Sequence, residues 1–244
     1  MNKREKSILT GLYLSKFSKN AISELGFKSY QEAFNVLGFS LGTKPSSIKN
    51  YRDEFDPLLP NHRKGWHKRT IRGYCKELYD DFKALNFIDF SELIKSFYIE
   101  NYEIEKIIKN ETKRDYAESV AKRLATGRAA EEYFKIEYKN IEEFSLFNIT
   151  DTTQLACGFD YKLSNVTDFY CIEVKGLNEK KGSVQLTEKE FNVAKNLKSK
   201  YCLFLVTNFK EKPVYNFIFD PLHSSLKFNK IERKVTQISY NTTI

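Results

Sequence analysis

The sequence predicts an α/β (α+β) protein in which a mixed β-sheet flanked by helices follows an all-helical domain. Three observations carry this prediction. Apolar residues recur every three to four positions through much of residues 1–112; after residue 113 one long helical stretch gives way to short apolar segments separated by turn signals; and one amphipathic stretch of helical length interrupts those segments. The change of pattern divides the chain into two expected domains, 1–112 and 113–244.

In the first, helical spacing runs through Ile8, Leu12 and Leu14, then Ile22, Leu25, Ala33, Phe34 and Leu37, and later Leu93, Ile94, Phe97, Ile104 and Ile107. Gly26, Gly38 and Gly42 read as helix stops, and Ser46 after Pro45 as the N-cap of SIKNYRDEF. In the second, a helix over roughly 115–140 runs through GRAAEEYFKIEY. The expected strands are FSLFNI, GFDYKL, DFYCIEVK, SVQL, YCLFLVTN and VYNFIF, with the helix TEKEFNVAKNL between the fourth and fifth.

Composition narrows the function. The net charge of +8 is uneven: residues 1–130 carry 24 Lys and Arg against 17 Asp and Glu, the remainder 16 against 15. A basic first half makes a polyanion such as DNA or RNA the natural partner. Cys75, Cys157, Cys171 and Cys202 lie far apart without a CxxC pair, which predicts reduced, buried thiols. Three histidines supply neither a His-based metal site nor a Ser/His/Asp triad well. The basic N-terminus has too short and broken an apolar stretch for a signal peptide, and the longest apolar run, YCLFLV, is strand-sized. A soluble, cytoplasmic protein without membrane contact is expected.

The stretch FYCIEVKGL, 169–177, is the most informative. Strand alternation puts Phe169, Cys171, Glu173 and Lys175 on one face and Tyr170, Ile172 and Val174 on the other. Two charges in an apolar strand need a partner, a metal or a wet cleft. Asp160, on the preceding expected strand, reaches Glu173 and Lys175 if the chain turns near Ser164 to Thr167. Two carboxylates converging from adjacent strands suit Mg2+, and a nearby lysine suits metal-assisted phosphodiester hydrolysis. The acidic-x-Lys tripeptide itself is weak, since it occurs seven times, starting at Asp81, Glu111, Glu137, Asp160, Glu173, Glu179 and Glu232. Only the one at Glu173 lies inside an apolar strand. The same residues also fit a same-face ion pair on an exposed edge strand, with Asp160 in a turn.

The order GRAAEEYF, GFD, IEVKG, SVQLTEKEFNVAK, YCLFLVTN, over residues 127–208, resembles the PD-(D/E)XK nuclease superfamily. It is similar to the nuclease domain at the C-terminal end of many restriction proteins and to archaeal Holliday-junction resolvases. The resemblance implies a restriction-endonuclease-like core in which Asp160 and Glu173 are metal ligands and Lys175 is the catalytic lysine. Glu131 would be the helix carboxylate completing or supporting the site, with Glu132 the alternative one register away. Phe159 stands where the family name expects Pro. Gln185 resembles a polar position near the site in relatives, a water or phosphate contact, and equally fits an exposed strand residue.

The densest basic stretch, NHRKGWHKRTIR, sets Arg63, Lys64, His67, Lys68, Arg69 and Arg72 around Trp66. Upstream, Ser46, Ser47, Lys49, Asn50 and Arg52 are of the types that contact phosphates or base edges, and short helices with glycine turns fit a helix-turn-helix-like reader. The stretch KPSSIKNYRDEFDPLLPNHRKGWHKR also resembles the N-terminal segment of certain small restriction endonucleases. Alternatively, Trp66 is a core anchor with Arg and Lys stems packed over it. Together these readings predict a type II restriction endonuclease using one or two Mg2+ ions. Double-stranded DNA is its expected partner, a homodimer its form on DNA, and a cognate DNA methyltransferase a functional partner without stable binding. A structure-selective junction endonuclease and a noncatalytic DNA-binding module are the rival expectations.

Overall fold

The computed structural model of the protein describes residues 1–98, 114–232 and 242. Five helices come first: α1 (Lys3–Glu24), α2 (Tyr30–Ser40), α3 (Pro45–Phe55), α4 (Gly73–Phe82) and α5 (Phe87–Tyr98). Asn2 starts α1 with a capping box, its Oδ1 accepting the Glu5 amide at 2.9 Å while Glu5 accepts the Asn2 amide at 2.9 Å. At Ser18 the helix kinks, with φ 53° and ψ −124°. Gly26 and Gly42 follow the ends of α1 and α2, as expected of helix stops. Gly38 does not: it lies inside α2, where an added Cβ would approach Pro45 Cα to 2.8 Å, so its role is to let α3 come close. Ser46 is not the cap of α3 either. That helix starts two residues earlier than expected, with Lys44 at the cap and Pro45 in its first turn, where a missing N–H costs nothing.

The long helix α6 (Arg114–Glu137) precedes β1 (Asn148–Asp151), β2 (Tyr161–Ser164), β3 (Phe169–Gly176), α7 (Glu188–Leu197), β4 (Tyr201–Thr207) and β5 (Val214–Phe219). The strands form one mixed sheet in sequence order, parallel between β3 and β4 and antiparallel elsewhere. The predicted mixed α+β architecture with helices first is therefore present, with seven α-helices among the described residues.

Two expected strands are not formed as read. In FSLFNI only the last residues join β1; Ile141, Phe144 and Phe147 recur at spacing three and are buried through consecutive turns, Phe144 N–H donating to Ile141 O and Phe147 N–H to Phe144 O, each at 3.0 Å. SVQL is an unpaired approach to α7. Its alternation is real, but both sides of β4, the next strand in the chain, are already occupied, by β3 and β5.

α6 covers one face of the sheet with Ala129, Ala130 and Phe134, whose ring meets Phe204 at 4.8 Å and Tyr161 at 5.3 Å. α7 covers part of the other with Ala194, against Cys171 and Tyr201. The helical part joins the same apolar core, from Ile8 and Leu12 through Phe39 to Phe134 and Phe209. Buried Asn35 donates to Phe209 O at 2.7 Å and Glu211 O at 2.8 Å, and Ser40 Oγ to Ala125 O at 2.8 Å. The expected boundary at 112/113 falls outside the described residues, as do Ile104 and Ile107. No helix among the described residues is long and apolar enough to cross a membrane.

Candidate active site

The site is set by the β2–β3 hairpin. Asn165 closes its turn, Oδ1 accepting the Thr167 amide at 2.9 Å and the Asp168 amide at 2.7 Å. The resulting register pairs Tyr161 with Ile172, so the next step along the ladder sets Asp160 beside Glu173 on the α7 face. Asp160 is fixed on three sides. Its amide donates to Ile172 O at 2.9 Å, its carbonyl accepts the Thr152 hydroxyl at 2.9 Å, and its Oδ2 accepts the Val174 amide at 2.8 Å.

Glu173 is only 2% exposed, on the central strand of five. The edge-strand alternative is thereby overturned. Lys175 Nζ lies 2.5 Å from Glu173 Oε1 and also donates to Glu190 Oε2 at 3.1 Å. Gly176, next along, lets β3 pass under α6: an added Cβ would stand 2.7 Å from Thr126 O.

The electrostatics follow from one ammonium facing several carboxylates. Burial pushes the Glu173 carboxyl up to about 8, Asp160 adding to the effect and Lys175 opposing it. Asp160 is raised as well, chiefly by burial. On α6, Glu131 is pushed up to about 7 by burial and then by the charge of Asp160. Burial opposes the Lys175 charge, but Glu173 and Glu190 outweigh it and hold the ammonium above its ordinary pKa. One lysine cannot neutralise the whole group, so its carboxylates stay mutually repelled.

The structure therefore brings Asp160, Glu173 and Lys175 within electrostatic reach of one another, while Glu131 on α6 feels the charge of Asp160 and is countered by Lys135 and Arg128. Glu132 turns away, pairing with Lys135, with Lys3 Nζ at 4.0 Å; Lys135 in turn meets Asp151 at 3.3 Å. Gln185 is exposed and lies on no strand. Glu190 was not anticipated, yet the pattern Thr-x-x-Glu at 187–190 announces a capping box: Glu190 N–H donates to Thr187 Oγ1 at 3.2 Å and Thr187 N–H to Glu190 Oε2 at 2.8 Å. A capping glutamate points back past the helix start, and here that direction leads to Lys175. The buried Tyr161 hydroxyl, which has no hydrogen-bond partner among the described residues, was likewise missed.

The basic segment divides in two. Arg63 donates to both oxygens of buried Asp56 at 3.0 Å, to Ser18 Oγ and Tyr30 Oη at 3.1 Å, and to Ser15 O at 2.9 Å. Arg52 is held by Asp53 at 2.5 Å, over the rings of Tyr30 and Phe34. Arg72 and Arg69 converge on buried Glu54, and Arg69 stacks on Trp66 at 3.9 Å. Half-buried Trp66 is thus overlaid by arginine, close to the core-anchor alternative. Lys64, His67 and Lys68 on the loop are exposed, as are Ser46, Lys49 and Asn50 on α3, while Ser47 is half-buried. A four-residue connection joins α2 to α3.

Residues 130–218 match the family model described as Protein NO VEIN, C-terminal. The matched region runs from the end of α6 nearly to the end of β5 and includes Glu131, Asp160, Glu173, Lys175 and Glu190. The chain matches no curated protein and no solved structure.

Proposed function

We propose that the protein is a Mg2+-dependent endodeoxyribonuclease of the PD-(D/E)XK type, acting as a type II restriction endonuclease on a short specific sequence in double-stranded DNA. The observation that carries this reading is the excess of carboxylate at one end of β2 and β3, where Asp160 and Glu173 face the ammonium of Lys175 and the charge of Asp160 is also felt at Glu131. A divalent cation relieves such an excess.

The donor chemistry fits Mg2+. The contacts described above engage one oxygen of each carboxylate, Oδ2 of Asp160 and Oε1 of Glu173. Among the described residues no group of three or more His, Cys, Asp or Glu is gathered as a ligand set. Mg2+ needs none, since it takes one or two carboxylates and completes its shell with waters and substrate phosphate oxygens. Asp160 and Glu173 would hold one or two ions, with Glu131 in support. When bound, the metal would polarise the scissile phosphate and stabilise the charge developing on it. Lys175 orients the attacking water or a phosphate oxygen beside Glu173. Exposed Lys64, His67 and Lys68, with Ser46, Lys49 and Asn50, supply contacts to the DNA backbone and base edges. A homodimer on a twofold site accounts for cutting both strands, and a methyltransferase of the same specificity would protect the host DNA.

The test is incubation of purified protein with plasmid DNA, with Mg2+ or EDTA, comparing wild type with Asp160→Ala and Lys175→Ala. Discrete Mg2+-dependent fragments, absent with both variants, are expected. Cutting confined to a branched substrate would replace the restriction reading with a junction nuclease; binding without cutting of plasmid, methylated and branched DNA would replace it with a binding module.

A further inference from the structure

Lys175 has two counter-charges from different elements, and they are not equivalent. Glu173 precedes it by two residues on β3, is 2% exposed and belongs to the carboxylate group beside Asp160. Glu190 comes from the first turn of α7, where its Oε2 accepts both the Thr187 amide at 2.8 Å and Lys175 Nζ at 3.1 Å. The capping box fixes Glu190 independently of the lysine. Any cation that takes Glu173 competes with the Lys175 ammonium for the same carboxylate, and with Glu173 as its sole partner the lysine would either block the cation or leave.

We propose that Glu190 is a positioning residue that anchors Lys175, so that Glu173 can accept a divalent cation while the ammonium stays beside it. This rests on the nuclease reading, in which Glu173 is a metal ligand. Glu190 touches neither the scissile bond nor the metal; it acts through Lys175.

A double-mutant cycle on cation binding tests the anchor without cleavage. Ca2+ binding to the full chain without DNA is measured calorimetrically for wild type, Glu190→Gln, Lys175→Met and the double variant, with thermal melting to verify folding. Gln can also fill the capping-box position, so Glu190→Gln removes the charge while keeping the helix start. The expected result is a loss of about tenfold in Ca2+ affinity from Glu190→Gln when Lys175 is present and less than about threefold when it is Met. Equal losses in the two backgrounds, or no Ca2+ binding by the folded wild type, overturn the proposal. DNA cleavage with Mg2+ is scored separately. A coupled cycle in a protein that leaves every DNA uncut keeps the anchor and removes the nuclease reading; an uncoupled cycle in a protein that cuts does the reverse.

Discussion

The Asp160 carboxylate accepts the backbone amide of Val174 at 2.8 Å, so the peptide between Glu173 and Lys175 itself holds the third acidic residue of the group in place. Strand pairing and the position of the charges are thus one feature. Asp160→Asn keeps an acceptor for that amide but removes a charge. The expected outcome is a folded protein with melting temperature equal to or above wild type and cleavage lowered by about a hundredfold or more, measured by circular dichroism and plasmid nicking.

Stability should fall as the pH rises. Glu173 and Glu131 are held at about 8 and about 7, above their ordinary 4.5, so in that window the folded chain keeps protons that the unfolded chain has released. The folded state is accordingly favoured at low pH, and this advantage is lost as pH climbs from about 4.5 to 8. Thermal melts without divalent cation should show a higher melting temperature at pH 5.5 than at pH 8, and Ca2+ or Mg2+ should restore most of the difference at pH 8. A flat profile across this range contradicts the crowding of carboxylates.

Glu173→Gln should separate stability from chemistry. Removing a carboxylate that burial disfavours is expected to raise the stability at pH 8 by about 1–3 kcal/mol and to flatten the pH dependence while abolishing cleavage. Urea titrations at pH 6 and pH 8 measure both effects.

The basic loop should divide by partner, not by residue type. Arg63→Ala removes the nearer guanidinium partner of Asp56, which is 2% exposed, and leaves Arg52 at 4.0 Å, at an expected cost of about 3 kcal/mol in denaturant titration. Lys64→Ala with Lys68→Ala touches only exposed charge. It should leave stability within about 0.5 kcal/mol while weakening DNA binding and reducing its salt dependence by nearly two ions, read by fluorescence anisotropy.

Much of this arrangement was legible because it depends on short-range pattern. The alternation in FYCIEVKGL assigned Glu173 and Lys175 to one face, and the turn read near Ser164 to Thr167, which the structure closes between Asn165 and Asp168, fixes the register that brings Asp160 beside them. What was not legible depends on partners distant in the chain. Arg52, Arg63 and Arg72 are basic residues in a basic stretch, and only the fold reveals that half-buried Asp53 and buried Asp56 and Glu54 hold them. SVQL alternates like a strand, but alternation does not supply a neighbouring ladder. Glu190 was visible as a helix cap; its second bond needed the position of β3 relative to α7.

The seam between the helical half and the sheet has a practical consequence. Phe39 packs on Tyr133 at 5.0 Å and on Phe209 at 6.3 Å, and Asn35 occupies the carbonyls of the turn after β4. A fragment beginning at residue 113 would carry the whole carboxylate group yet bare the oily flank that α2 now shelters, and would be prone to clump. The sheet-bearing half is therefore no portable cassette: expressed alone or fused to another domain, it would have to bring α1 and α2 with it.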